Sequence, residues 1–294
     1  MRLVVAVPYL WLAVFFLVPF VIVLKISLSQ IAIAQPPYVP VLDLGAGWQG
    51  LREFLARLSL DSYALLGSDS LYLFSYLKSL AVGLAATVIL LLLGFPVAYA
   101  LARTPWPAQG ILLVLVVLPF WTSFLIRIYA WMNILQRDGL WNGLLLALGI
   151  IDAPVAWLAT DTAVMIGMVY SYLPFMVLPL YASLQKMDAA LLEAAADLGA
   201  PAWKAFWLVT VPLAKPGIAA GSLLCFIPIV GEFVIPDLLG GSRSLMIGQT
   251  LWLEFFSNKD WPVASALAVL LLLLLLLPIV VYQRQQMRAL EGNG

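Results

Sequence analysis

The sequence predicts an all-α membrane protein with six transmembrane helices, and three observations predict it. Apolar residues make up 64% of the 294 and charged residues only 10%. Mean hydropathy is +1.04, far above what a soluble globule carries. The apolar residues also gather into six stretches, each long enough to cross about 30 Å of hydrocarbon at about 1.5 Å per residue.

The six stretches run from Val7 to Leu28, Phe74 to Ala102, Ile111 to Leu135, Ala163 to Leu184, Gly217 to Leu239, and Val263 to Tyr282. The first is followed by Ala32-Ile33-Ala34, a small-residue pattern like a secretory cleavage site. Its apolar core is too long for a signal peptide and only Arg2 precedes it, so a retained helix is expected over residues 1–28. Residues 29–70 form the longest polar stretch. Pro36, Pro37 and Pro40 precede a short amphipathic helix expected around Leu51 to Leu60. A periplasmic loop lying on the membrane surface or touching a partner fits this composition. Residues 71–294 then form a core of five spans, in which Leu270 to Leu277 is an unbroken leucine run suited to lipid or plain packing.

Basic residues in short loops set the orientation of such a chain. With both termini cytoplasmic, the inner set is Arg2, Arg103, Lys186, Lys204, Lys215, Arg284 and Arg288. The outer set is Arg52, Arg57, Arg137, Arg243 and Lys259, so cytoplasmic termini are expected by a margin of two. The outer loops also hold Asp43, Glu53, Asp61, Asp69, Asp138, Asp152 and Asp260, which count for little under this rule.

Composition also excludes chemistry. Lys plus Arg and Asp plus Glu are 15 each, leaving no basic field for nucleic acid. Histidine is absent and Cys225 is the sole cysteine, which removes an internal disulfide, zinc or haem sites and a Cys/His nucleophile. Cys225 sits in an apolar run and reads as a small packing residue. No Gly-x-x-x-x-Gly-Lys-Ser/Thr phosphate cradle occurs, so no nucleotide or other cofactor is expected on this chain.

The segment 185–213 is too charged to span. Asp188 can cap a helix of strong helix formers, Gly199 can take the left-handed conformation that ends it, and Pro201 suits the first turn of a second helix. The expectation is a helix-turn-helix between the fourth and fifth spans. From physics alone it could be a connector on the inner leaflet or a rigid element seated in a soluble motor.

The spacing within this loop is more specific: Glu193-Ala194-Ala195, three residues, Gly199, nine residues, then Val209-Thr210-Val211-Pro212. It resembles the EAA loop of ATP-binding-cassette importer permeases. Further stretches resemble the putrescine and spermidine branch of that family: Leu118-Pro119-Phe120-Trp121-Thr122-Ser123-Phe124-Leu125-Ile126-Arg127-Ile128-Tyr129-Ala130-Trp131, Pro174-Phe175-Met176-Val177-Leu178-Pro179, Gly231-Glu232-Phe233-Val234-Ile235-Pro236-Asp237-Leu238-Leu239-Gly240-Gly241 and Asp260-Trp261-Pro262. The resemblance covers most of the chain beyond Leu71, and Glu232 with its surroundings leans toward putrescine.

This resemblance implies a type I importer permease in the bacterial inner membrane. It implies a coupling helix whose Glu193, Ala194, Ala195, Asp197 and Gly199 meet an ATP-hydrolysing subunit, present in two copies and carrying ATP and Mg. It also implies a second homologous permease and a periplasmic polyamine-binding protein. The chain itself would not be an enzyme.

A dication crossing the membrane needs carboxylates or aromatic faces in place of its hydration shell. Candidates are Glu232 in the fifth span, Asp237 toward its outer mouth, Trp121, Tyr129 and Trp131 in the third span, and Tyr170 and Tyr172 near the middle of the fourth. Structural alternatives stand beside each. Glu232 could pair with Arg127 at similar depth, and the aromatic residues could pack between helices or line the interface. Pro174, Pro179, Pro228 and Pro236 permit kinks within spans. Rival readings are a permease of the same class for another solute, an ion-coupled secondary transporter working alone, and an intramembrane enzyme. The last lacks any paired acids or dyad at catalytic spacing.

Overall fold

A computed structural model describes residues 2–41, 45, 47–241 and 244–291. Asp43 and Arg243 lie outside the described residues, as do the side chains of Arg2, Glu53 and Arg288. The helices are α1 (Arg2–Leu12), α2 (Val18–Ser27), α3 (Gly47–Ala56), α4 (Asp61–Ser68), α5 (Ser70–Arg103), α6 (Ala108–Val117), α7 (Phe124–Ile134), α8 (Leu140–Ala147), α9 (Asp161–Leu184), α10 (Ala190–Asp197), α11 (Ala202–Ala205), α12 (Val211–Val230), α13 (Val234–Leu239), α14 (Ile247–Trp252) and α15 (Trp261–Glu291). A two-residue antiparallel ladder, β1 (Gln30–Ile31) with β2 (Tyr38–Val39), is the sheet among the described residues.

Five helical stretches are long and apolar enough to cross a membrane: Ala6–Ser27, Ser70–Arg103, Asp161–Leu184, Ala202–Val230 and Trp261–Arg284. The sixth expected span is not one rod. Ala108–Trp121 and Phe124–Ile134 meet at a 90° bend. The cause is local: Pro119 opens a tight 3₁₀ turn, Leu118–Trp121, after which Thr122 is extended (φ −95°, ψ 152°) and Ser123 is non-helical (φ −57°, ψ 138°). Thr122 Oγ1 returns a 2.8 Å bond to the Pro119 carbonyl, which a helix would have used otherwise.

The fifth span also differs from expectation. It begins at Ala202 rather than Gly217, because Trp203, Phe206, Trp207 and Val209 carry helix through a π turn at Phe206–Thr210 into α12. It ends at Val230, and a three-residue break precedes α13. By contrast α9 stays helical through Pro174 and Pro179. In the polar segment the amphipathic helix starts four residues before the expected Leu51, and α4 follows as a second helix.

The chain packs as two units, and α5 contributes its first eight residues to one and the remainder to the other. The unit formed by Met1–Leu77 and Ile247–Gly294 joins α15 to α2 and α4. Tyr76 donates to the Leu267 carbonyl at 2.6 Å, Tyr72 to Glu254 Oε1 at 3.0 Å, and Thr250 Oγ1 to Ser75 Oγ at 3.1 Å. The Lys25 ammonium lies over the Tyr38 and Phe54 rings, 5.0 and 5.3 Å from their centroids.

The unit Lys78–Met246 is built on α9 and α12 packed side by side. Close approach follows from small residues one turn apart. A Cβ at Gly217 would lie 2.6 Å from Ser183 Cβ and 2.8 Å from the Pro179 carbonyl, and one at Gly221 would lie 2.9 Å from Met176 Sδ. Cys225 continues this stripe, fully buried, its thiol directed at the Tyr172 carbonyl at 3.6 Å. Leu90, Ile128, Met168, Met176, Leu180, Ile229, Ile235 and Leu239 fill the core.

Candidate functional site

The loop 185–213 is helical where expected and tightly ended. Asp188 Oδ1 accepts from the Ala190 amide at 3.0 Å, holding the start of α10. At the other end Gly199 has φ +78°, its amide bonds the Ala196 carbonyl at 2.8 Å, and the Ala200 amide bonds the Ala195 carbonyl at 2.9 Å. These two bonds form a Schellman ending, which needs a left-handed residue at this place. Pro201 precedes α11 rather than entering it, and its carbonyl takes the amides of Lys204 and Ala205. Glu193, Ala194, Asp197 and Gly199 are exposed and Ala195 is half-buried, so α10 presents a short, rigid, accessible surface.

The intramembrane candidates separate into distinct places. Trp121 is 77% exposed and Tyr129 47% exposed. Trp131 packs edge-on against Tyr170, centroids 5.3 Å apart, and Tyr170 lines an apolar cavity of about 440 Å³ with Pro119, Leu173 and Pro174. Tyr172 faces another way, since two residues along a helix turn the side chain by about 200°. Asp237 is exposed on α13.

Tyr172 and Glu232 come together. The Tyr172 hydroxyl donates to Glu232 Oε2 at 2.6 Å, and Oε1 of the same carboxylate accepts from the Val234 amide at 3.0 Å. Glu232 thus sits in the break between α12 and α13 and caps α13, rather than projecting from a continuous helix. Tyr172 lies midway along α9, so the carboxylate is held within one side chain's reach of the middle of a 24-residue span. Irregular backbone at such depth is tolerated where it lines a cavity or is buried in protein.

Tyr172 also lines a cavity of about 540 Å³ together with Phe120, Phe124, Arg127, Ser171 and Phe175. Glu232 and Arg127 form no ion pair, and the ion pair among the described residues joins Lys78 to Asp161, which also accepts from Ser244 Oγ at 2.6 Å. Arg127 rests over the Phe120 and Phe124 rings at 5.2 and 5.6 Å. Ser171, Phe120 and Phe124 were not singled out by sequence. The Pro119 turn that aims the two phenylalanines was legible only as letters of a motif.

Several helices long and apolar enough to cross a membrane, with an exposed helical loop between two of them, are the marks of a multi-pass membrane protein. Residues 91–288 match the family of binding-protein-dependent transport system inner membrane components, and the chain belongs to that family. It is 44% identical over 226 residues to the spermidine/putrescine transport system permease protein PotB of Escherichia coli, covering 77% of this chain and 82% of that one. To the protein of the same name from Haemophilus influenzae it is 38% identical over 283 residues, covering 96% and 93%. Its fold is similar to a chain of a bacterial alginate ABC transporter in complex with an alginate pentasaccharide-bound periplasmic protein, with TM-score 0.71, 16% identity and coverage of 98% and 94%.

The chain is therefore a multi-pass inner-membrane permease subunit of an ATP-binding-cassette transporter and not an enzyme. The secondary-transporter and intramembrane-enzyme readings are set aside by that membership.

Proposed function

We propose that this permease carries polyamines, putrescine before spermidine, delivered by a periplasmic binding protein. The observation that carries the reading is identity of 38% across nearly the whole length of a spermidine/putrescine permease. The Tyr172–Glu232 pair, half-buried at the carboxylate, supports it, because a carboxylate held at mid-span is a receptor for a cation stripped of water. In this reading a second homologous permease completes the path, and two copies of an ATP-hydrolysing subunit dock on Glu193, Ala194, Ala195, Asp197 and Gly199. ATP and Mg belong to those subunits and this chain holds no cofactor. Both termini lie in the cytoplasm, which the excess of basic residues in the loops on that side supports.

Glu232 and Tyr172 serve the path directly. Tyr170 and Trp131 brace the span beside it, and Trp121, Tyr129 and Asp237 meet solute, lipid or partner at its margins. The test is uptake of labelled putrescine and spermidine into vesicles holding the full assembly, with Glu232→Gln beside wild type. Loss of uptake of both cations with assembly intact supports the reading; transport of an unrelated solute with no polyamine uptake overturns it.

A further inference from the structure

Arg127 is 8% exposed, yet its Nε and Nη1 have no hydrogen-bond partner, and Ser171 Oγ, at 3% exposure, has none either. Both residues line the same cavity of about 540 Å³, whose remaining walls are aromatic and aliphatic. A guanidinium and a hydroxyl turned into an apolar space within a membrane span are costly without an acceptor. The two phenylalanine faces over which Arg127 lies offer partial compensation only. Glu232 does not line this cavity and makes no ion pair with Arg127; its oxygens accept from Tyr172 and Val234.

A guanidinium in such surroundings is best stabilised by an anionic oxygen acceptor, and depth limits the source of one. Ser171 is near the middle of α9, about 15 Å from its start and about 20 Å from its end, deeper than the level at which lipid phosphates lie. The rim of the cavity is apolar and uncovered: Leu224 is 51% and Phe175 40% exposed. A lipid tail covering this rim would leave the arginine unpaired, whereas a protein helix can bring a carboxylate with it.

We infer that Arg127 and Ser171 receive an aspartate or glutamate side chain from the second permease subunit, forming an ion pair within the membrane between the two permeases. The inference rests on the proposed pairing with a second permease. Nε or Nη1 of Arg127 can donate a charge-assisted hydrogen bond to the carboxylate, and Ser171 adds a second donor. The ion pair would also neutralise a positive charge that otherwise repels a cationic solute beside Tyr172 and Glu232.

The test uses the tagged chain co-expressed with its candidate second permease and ATPase, reading the amount of second permease retained after detergent washing against the amount of tagged chain. Arg127→Met should lower retention at least about tenfold at unchanged chain level, because it strands the partner's buried carboxylate. Arg127→Lys should recover part of the loss, and Ser171→Ala should cost about threefold. A second measurement stays informative if Arg127→Met folds poorly. Arg127→Glu is combined with Lys replacements of the second permease's intramembrane acids, one at a time, and one combination should restore retention.

Unchanged retention in Arg127→Met overturns the inference. So does an equal loss in Glu232→Gln with no further loss in the double variant, which would place the acceptor within this chain. If the wild-type chain holds no second permease at all, the underlying pairing fails rather than the assignment of Arg127 within it.

Discussion

The Tyr172 hydroxyl donates a 2.6 Å hydrogen bond to Glu232 across sixty residues of chain, tying the middle of α9 to the break between α12 and α13. A carboxylate with two donors is fixed in position before any solute arrives. Glu232→Gln keeps an oxygen for the Val234 amide and its NH2 can donate to the Tyr172 oxygen, so the fold should persist while uptake of a dication falls at least about tenfold. Tyr172→Phe keeps the charge and frees it to move, at a stability cost of about 1.5–3 kcal/mol. Uptake kinetics beside thermal melting of the purified chain separate the two effects.

The ending of α10 predicts a backbone effect with no steric part. A Cβ at Gly199 would meet nothing within 4 Å, yet φ is +78°. Gly199→Ala should therefore cost about 1–2 kcal/mol through conformation alone, and Gly199→Asn less, since asparagine tolerates this region. Substrate-stimulated ATP hydrolysis by the assembled transporter should fall in the same order, and Glu193→Ala should uncouple it without altering the melting temperature.

Much of this architecture was legible in the sequence because hydrocarbon imposes a simple rule: apolar stretches of sufficient length must be helical. The α10 helix was legible for a different reason, since Asp188 and Gly199 are local signals read without tertiary knowledge. The bend at Thr122–Ser123 was not, because Ile111 to Leu135 is apolar throughout and a proline turn leaves no mark on hydropathy. Nor was the partner of Glu232. Its depth could be compared with that of Arg127, but the choice of Tyr172 depends on how α9 is rotated against α12, and that is set by Gly217 and Gly221 approaching α9.

The loop after α7 is organised by one buried side chain. Asn142, 1% exposed, donates to the carbonyls of Arg137 and Val155 at 3.0 and 2.8 Å. It accepts from the Val155 amide at 3.2 Å and from Trp157 Nε1 at 3.0 Å. Asn142→Ala leaves several of these groups without partners and should destabilise by about 2–4 kcal/mol. Faster proteolysis between α7 and α9 in the variant, at unchanged cleavage elsewhere, would report it.

Asp260 lies between the two helical stretches that precede and form the last span, and its Oδ1 accepts from the Val263 amide at 3.0 Å. Burial raises its carboxyl above the ordinary range, the Val263 bond opposes that rise, and Glu254 adds to it. A raised folded value means that the protonated form favours the fold, and the contribution is lost as pH rises through that value. Asp260→Asn, which keeps an acceptor, should match or exceed wild-type stability at about pH 8 and lose that advantage toward about pH 4. Asp260→Ala should lose about 1 kcal/mol through the cap at either pH. Melting curves across this range check both.

The most direct test of a polyamine permease driven from α10 is paired uptake and ATP hydrolysis in proteoliposomes containing this chain, its candidate second permease, ATPase and binding protein. Labelled putrescine should accumulate only with ATP, Glu193→Ala should sever hydrolysis from uptake, and Glu232→Gln should lower uptake while assembly persists. Uptake by this chain alone without ATP, or polyamine uptake indifferent to both substitutions, would contradict the account.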